Sequence, residues 1–270
     1  MIKTRNTPLL LSTSLVGLLT FSQLVDAAEL KVIASGALKG AMAHLQPAYE
    51  KASGNTLAIS WGPSMGESPE SIPQRIKHHE PMDLAIMASE TLDLLAPSGA
   101  FDLTTRRDIA DSPIGVGVPH GHAHPDISTV AALKAALLAA DKVAYSQGAS
   151  GVFIRSELFQ RLGIAEQLKG KTLEVQGKEL VGTALARGEA DIGMQQVSEL
   201  KVTPGVDYLG PLPKEVQKVS RFCATVATQT SNAVVAREFV AFLASPAAHQ
   251  LLTESGLEPV QDSSNQGAKK

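Results

Sequence analysis

Three short stretches place a serine hydroxyl and unencumbered glycine amides between an apolar run and an amphipathic one. They are Ser35-Gly36-Ala37, Ser64-Met65-Gly66 and Ser146-Gln147-Gly148-Ala149-Ser150-Gly151. A helix start offers N–H groups without intrahelical partners, and its dipole favours negative charge, so each stretch has the makings of an anion site. A lone serine there is an ordinary cap. Three of them at three strand-to-helix junctions predict one shared site for a small anion. The amides of Gln195-Gln196, at a fourth such junction, add neutral donors.

The elements that must position these groups follow from periodicity. The segment 56–61 alternates as a strand, and Ile72 and Ile76 recur at helical spacing within 69–78. The turn Trp61-Gly62-Pro63-Ser64-Met65-Gly66 lies between them. Helices are expected over 38–51 and 152–162, the latter stopping at Gly163. Further strands are expected over 82–87, 112–118, 142–145, 172–175, 190–196, 206–209 and 219–227, with 101–108 an extended connection. Helices are also expected over 129–139, 180–187, 232–244 and 246–254.

Repeated βα units predict an α/β fold with mainly parallel sheets. There are more of them than one small sheet needs, so two lobes with a ligand cleft between them are expected. The first lobe takes 28–111 and 222–260, and the second, inserted, takes 112–221. Ligands in such sheets sit at the carboxyl ends of the strands. All four junctions lie at those ends.

Residues 1–27 have a basic start (Lys3, Arg5), a short apolar run and the small-residue end Val25-Asp26-Ala27. That is a secretory signal with expected cleavage after Ala27 and a periplasmic destination. The run is too short and interrupted for a membrane span, and no insertion is expected. Cys223 is the single cysteine, so no internal disulfide forms. A formal charge of −3 excludes a strongly basic nucleic-acid binder. The polar tail 261–270 is expected to be flexible. His120-Gly121-His122-Ala123-His124 could present imidazoles to a metal, but no clear carboxylate completes the set, and no metal or other cofactor is expected.

The stretches Val32-Ile33-Ala34-Ser35-Gly36-Ala37, Gly62-Pro63-Ser64-Met65-Gly66, Met82-Asp83-Leu84-Ala85-Ile86 and Ala190-Asp191-Ile192-Gly193 resemble the type II periplasmic solute-binding proteins, in their molybdate-binding-like branch. The closing Phe239-Val240-Ala241-Phe242-Leu243-Ala244-Ser245-Pro246 fits as well. The likeness covers nearly the whole mature chain and implies two α/β lobes, a hinge and an oxyanion or carboxylate site. Gln195-Gln196 stands where molybdate receptors usually carry a tyrosine. Together with Gly-Pro-Ser-Met-Gly and Arg155, it resembles a divergent branch that includes aconitate-isomerising enzymes. That branch implies interconversion of trans- and cis-aconitate by an allylic proton shift. Arg155 would hold a carboxylate bidentately. No proton-transfer group stands out; Tyr145 and Glu67 flank the proposed loops, and Glu157 lies in the third helix. The alternative is a receptor that hands a small anion, oxyanion or carboxylate, to an ABC permease.

Overall fold

The computed structural model describes residues 27–260. The expected leader up to Asp26 and the tail 261–270 lie outside the described residues. In chain order the elements begin with β1 (Glu29–Ser35), a single tight turn over Gly36–Leu38, α1 (Lys39–Ser53), β2 (Thr56–Gly62), α2 (Ile72–Lys77), β3 (Leu84–Ala88) and α3 (Ser89–Leu95). Then come β4 (Phe101–Pro119), α4 (Val130–Ala139), β5 (Val143–Ser146), α5 (Ala149–Phe153), α6 (Phe159–Arg161), β6 (Thr172–Val175) and α7 (Val181–Ala186). The chain closes with β7 (Ile192–Gln196), α8 (Val197–Lys201), β8 (Val206–Pro211), β9 (Val219–Ala227), α9 (Ala233–Leu243), α10 (Pro246–Glu254) and β10 (Glu258–Pro259).

The main sheet path runs β2-β1-β3-β9-β4-β7-β5-β6, with β8 and β10 both pairing β4. Each half has a parallel trio: β2, β1 and β3 in the first, and β6, β5 and β7 in the second. The antiparallel strands β4 and β9 join them, so parallel pairing is confined to the two trios. The segment 101–108 is not a mere connection but the first part of β4, paired with β9 through two register shifts. Those shifts and the 19-residue length let β4 leave the first sheet near Pro113 and enter the second at Ile114. The helix expected over 69–78 begins only at Ile72, because 63–71 is a looped crossing held by Ile72 N donating to Pro63 O at 2.9 Å.

Each half buries its own core. Leu30, Val32, Leu38, Leu45, Phe222 and Phe239 lead the first; Ile114, Val116, Leu133, Ile154 and Met194 lead the second. At about 25 cal/mol per Å² of apolar surface, large side chains such as Phe222 and Phe239, both 1 % exposed or less, contribute most to the first. Helix α8 breaks this partition. It follows β7 of the second sheet but packs on the first half, where a Cβ at Gly40 of α1 would stand 2.4 Å from Val202 Cγ1. Its residues are thereby driven into the seam between the lobes.

Candidate functional site

The carboxyl ends of β1, β2, β5 and β7 converge at this seam. Two small adjoining cavities lie there, each about 20 Å³, sharing Pro63, Ser146 and Glu199. Gly36, Trp61, Lys178 and Gln195 complete the first. Ser35, Ser64, Ser150, Gln196 and Phe222 line the second. Each has room for about one water molecule, so the two halves lie closed on one another. Outside lies a wider pocket of about 580 Å³, bordered by Lys39, Trp61, Arg75 and Lys178, which shares Trp61 and Lys178 with the inner space.

The serines are held by local bonds that follow from their junctions. Ser35 Oγ accepts from Ala37 N at 3.5 Å and caps the turn into α1. Ser64 Oγ accepts from Ala88 N at 3.0 Å, which ties the looped crossing to the end of β3. Its hydroxyl proton remains to be donated. Ser64→Ala should therefore weaken anion binding about tenfold, and it should also lower the thermal midpoint by leaving a buried N–H unpaired. Titration calorimetry and a thermal melt check the pair. Ser146 Oγ accepts from Gly148 N at 3.3 Å, and Ser150 is 2 % exposed. Gly151 lets the helix rest directly on the end of β5.

Two of the amides are committed to the scaffold. Gln195 Oε1 accepts from Val181 N at 2.7 Å, which fixes the start of α7. Gln196, turned so that both ends of its amide are satisfied, donates to Ser112 O at 2.9 Å and Pro113 O at 3.2 Å and accepts from Ser220 Oγ at 2.9 Å. Ser112 and Ser220 belong to the crossing strands β4 and β9, so Gln196 fastens the second lobe to the hinge. Its side chain borders the cavity but has no donor left for a ligand.

Other expected residues lie elsewhere. Arg155 projects outward, 57 % exposed, with Glu174 Oε1 at 3.5 Å. The reason is a π-helical stretch, Ile154–Leu158, that rotates this part of the helix after Ser150. Met65 and Gly66 line neither cavity; Gly66, at φ 106°, turns the loop so that a Cβ there would stand 3.3 Å from Gln147 O of the other half. Tyr145 packs its ring on Phe159 in the second core, 5.9 Å between centroids, and burial pushes its hydroxyl pKa up. Glu67 is exposed and accepts from Gln74 Nε2 at 3.2 Å, and Glu157 pairs with Arg161 at 2.6 Å. The His loop is pinned instead of open to a metal: His120 Nδ1 and His124 Nε2 both meet Asp207, at 2.7 and 3.1 Å. Among the described residues no group of three His, Cys, Asp or Glu side chains is placed to hold a metal ion.

The residue that reading the sequence missed is Glu199. It is the third residue of α8, 9 % exposed, and it borders both cavities. Burial pushes its carboxyl pKa up to about 7, against the opposing pull of Lys39, the Gln196 backbone N–H and the Gln195 amide. The bond from the residue before the helix is half of a capping box, in which a Glu at the third position reaches back to the cap N–H. A Cβ at Gly36 would stand 2.8 Å from Glu199 Oε1, so glycine at the end of β1 leaves room for this carboxylate. Lys39 itself is held below its ordinary pKa by burial, with Glu199 opposing and Lys178 adding to the effect. Its ammonium lies 5.9 Å from the centroid of the Trp61 ring. The site thus combines neutral donors, two lysines and one carboxyl able to change protonation near neutral pH.

A second large groove, about 600 Å³, opens at the opposite ends of β1 and β3. Of its acidic residues, Asp83 is already bonded to Lys31 N at 2.7 Å, to Thr230 and to Asn232, and Glu80 is paired with Arg75.

Two parallel trios joined by crossing strands, with a donor-lined cleft at their carboxyl ends, define a two-lobed solute-binding fold. Residues 30–258 match the bacterial extracellular solute-binding protein family, and the chain belongs to it. It is 39 % identical over 231 residues to an aconitate isomerase of a Pseudomonas species, covering 86 % of this chain and 88 % of that one. It is 22 % identical over 238 residues to the molybdate-binding protein of Escherichia coli K12, covering 86 % and 90 %. The periplasmic molybdate-binding protein of Azotobacter vinelandii superposes with a TM-score of 0.71 at 20 % identity, covering 86 % of this chain and all of that one.

Proposed function

We propose that the protein is an isomerase built on a solute-binding scaffold, interconverting trans- and cis-aconitate in the periplasm after removal of its leader. The observation that carries this is a buried carboxyl, Glu199, whose pKa burial pushes up to about 7, on the wall of a cleft lined by serine hydroxyls. A receptor that only binds and releases an anion gains nothing from such a group, since a negative charge there repels the cargo. An isomerase needs one, because moving a double bond across three carbons requires a proton to leave one end and arrive at the other. The 39 % identity to an aconitate isomerase supports the same substrate. The charge of a tricarboxylate is met by Lys39, Lys178 and the hydroxyls of Ser35, Ser64, Ser146 and Ser150, in a space that closes against water. Donors aimed at a charge that grows in the transition state lower the barrier most when they are fixed in advance.

Proton NMR of the mature protein with trans-aconitate in D2O should show cis-aconitate forming, with deuterium entering the methylene position. The likeness to molybdate-binding proteins makes transport reception the competing reading. Tight binding of molybdate with trans-aconitate left unchanged would establish that reading instead.

A further inference from the structure

We propose that Glu199 is the catalytic residue that takes the methylene proton from the substrate and returns it at the other end of the three-carbon unit. This rests on the isomerase reading. Three features of the structure place it there. Its side chain is the carboxylate that borders both inner cavities. It comes from the second lobe, yet its Oε1 lies against Gly36 at the end of β1 in the first, so it meets a ligand only when the lobes are closed. The remaining acidic side chain on the cavity wall, Glu179, is engaged by Arg187, which also binds Glu189 at 2.6 Å.

The step balances within the substrate and one side chain. The Glu199 carboxylate removes a proton from the methylene carbon, breaking one C–H bond. The electron pair spreads over the three carbons into an adjoining carboxylate, as a dienolate. The resulting carboxylic acid delivers a proton to the former vinylic carbon, forming one C–H bond while the double bond moves across. Nothing is oxidised or reduced, and no second reactant is consumed. Whether cis or trans product forms depends on how the departing methylene arm is turned when the new double bond is set. The closed walls of Pro63, Trp61 and Phe222 restrict that turn.

The ionisation of Glu199 is set by what faces it. Burial acts from all sides; Lys39 approaches from α1, and Gln195 and the Gln196 N–H approach from the end of β7. Lys178 and Glu179 stand on the loop before α7, and β5 and β9 contribute only Ser146 and Phe222 to this wall. A base poised near the working pH combines a deprotonated starting form with a usable conjugate acid.

The test uses Glu199→Gln in the full mature protein. Gln also serves at the third position of a capping box, so the variant keeps the bond to the Gln196 N–H and loses only ionisation. Isomerisation and methylene deuterium exchange should both fall about a thousandfold, within the range general bases contribute. Binding of trans-aconitate, read by calorimetry, should stay within a few-fold. Glu199→Asp should retain measurable exchange. In the wild type, kcat/KM should rise with pH through a single limb near 7, and Lys39→Met should move that limb upward, because the lysine holds the pKa down. An active Glu199→Gln, or a limb that Lys39→Met leaves in place, would overturn the assignment while wild-type turnover preserved the isomerase reading. A wild type that leaves trans-aconitate unchanged would remove both.

Discussion

Gly151→Ala should yield little or no folded protein. A Cβ on Gly151 would stand 1.4 Å from the carbonyl oxygen of Ser146, 2.5 Å from its carbon and 3.2 Å from its nitrogen. All three are backbone atoms at the end of β5, so no side chain can swing aside to admit the methyl group. The helix would have to lift from the strand, uncovering Phe153 and Ile154, which are 3 % and 0 % exposed. Forced backbone shifts in a packed interior cost about 3 kcal/mol or more, a large share of the stability of a domain. The same movement would pull Ser150 away from Ser146 and open the serine-lined cavity. Gly170→Ala is the control. Unlike Gly151 it sits at a positive φ, 77°, but it has no atom within 4 Å of the added carbon, so only backbone strain of about 1 kcal/mol applies. Soluble yield and thermal melting by circular dichroism separate them. A Gly151→Ala melt within 2–3 °C of the wild type, below about 1 kcal/mol for a chain of this size, would contradict the contact.

The same geometry explains which parts of the site could be read in advance. The serines were legible because they follow strands and precede helices, a local pattern with a local cause. Where the strands end, the fold brings them together. Gly36 and Gly151 were legible as helix-opening residues with free amides, but the room they leave for Glu199 and for the Ser146 carbonyl depends on contacts that residue spacing does not show. Arg155 misled because a regular helix after Ser150 would have carried it differently, and the π-helical stretch cannot be seen in residue spacing. Gln196 was placed correctly at the junction, but its hydrogen-bonding capacity is taken by β4 and β9, strands whose pairing spans the hinge. Glu199 carried one faint signal, a Glu three residues beyond a strand end. That pattern usually marks an exposed capping residue. What buries it here is the docking of α8 on the opposite lobe, a tertiary event.

Burial of Glu199 has a thermodynamic signature that does not depend on knowing the ligand. Glu199→Gln should be more stable than the wild type at pH 8 and about equally stable near pH 4.5. The folded carboxyl holds its proton up to about 7, whereas an ordinary one releases it near 4.5. Between these values the unfolded chain binds fewer protons than the folded one, so wild-type stability falls as pH rises through this window and levels off above 7. The span is 7 − 4.5 = 2.5 pH units, and at about 1.4 kcal/mol per unit it corresponds to about 3 kcal/mol as an upper figure. Gln does not titrate and keeps the cap, so it escapes this loss. For a chain of this size the difference in Tm between variant and wild type should open by up to about 6–12 °C from pH 4.5 to pH 8. Parallel melts at several pH values read it directly, and a constant difference across that range would mean that the carboxylate is hydrated in the folded protein. A side chain whose removal stabilises the fold at working pH is retained for another reason, and stability yielded at a reactive group is the usual trade in an enzyme.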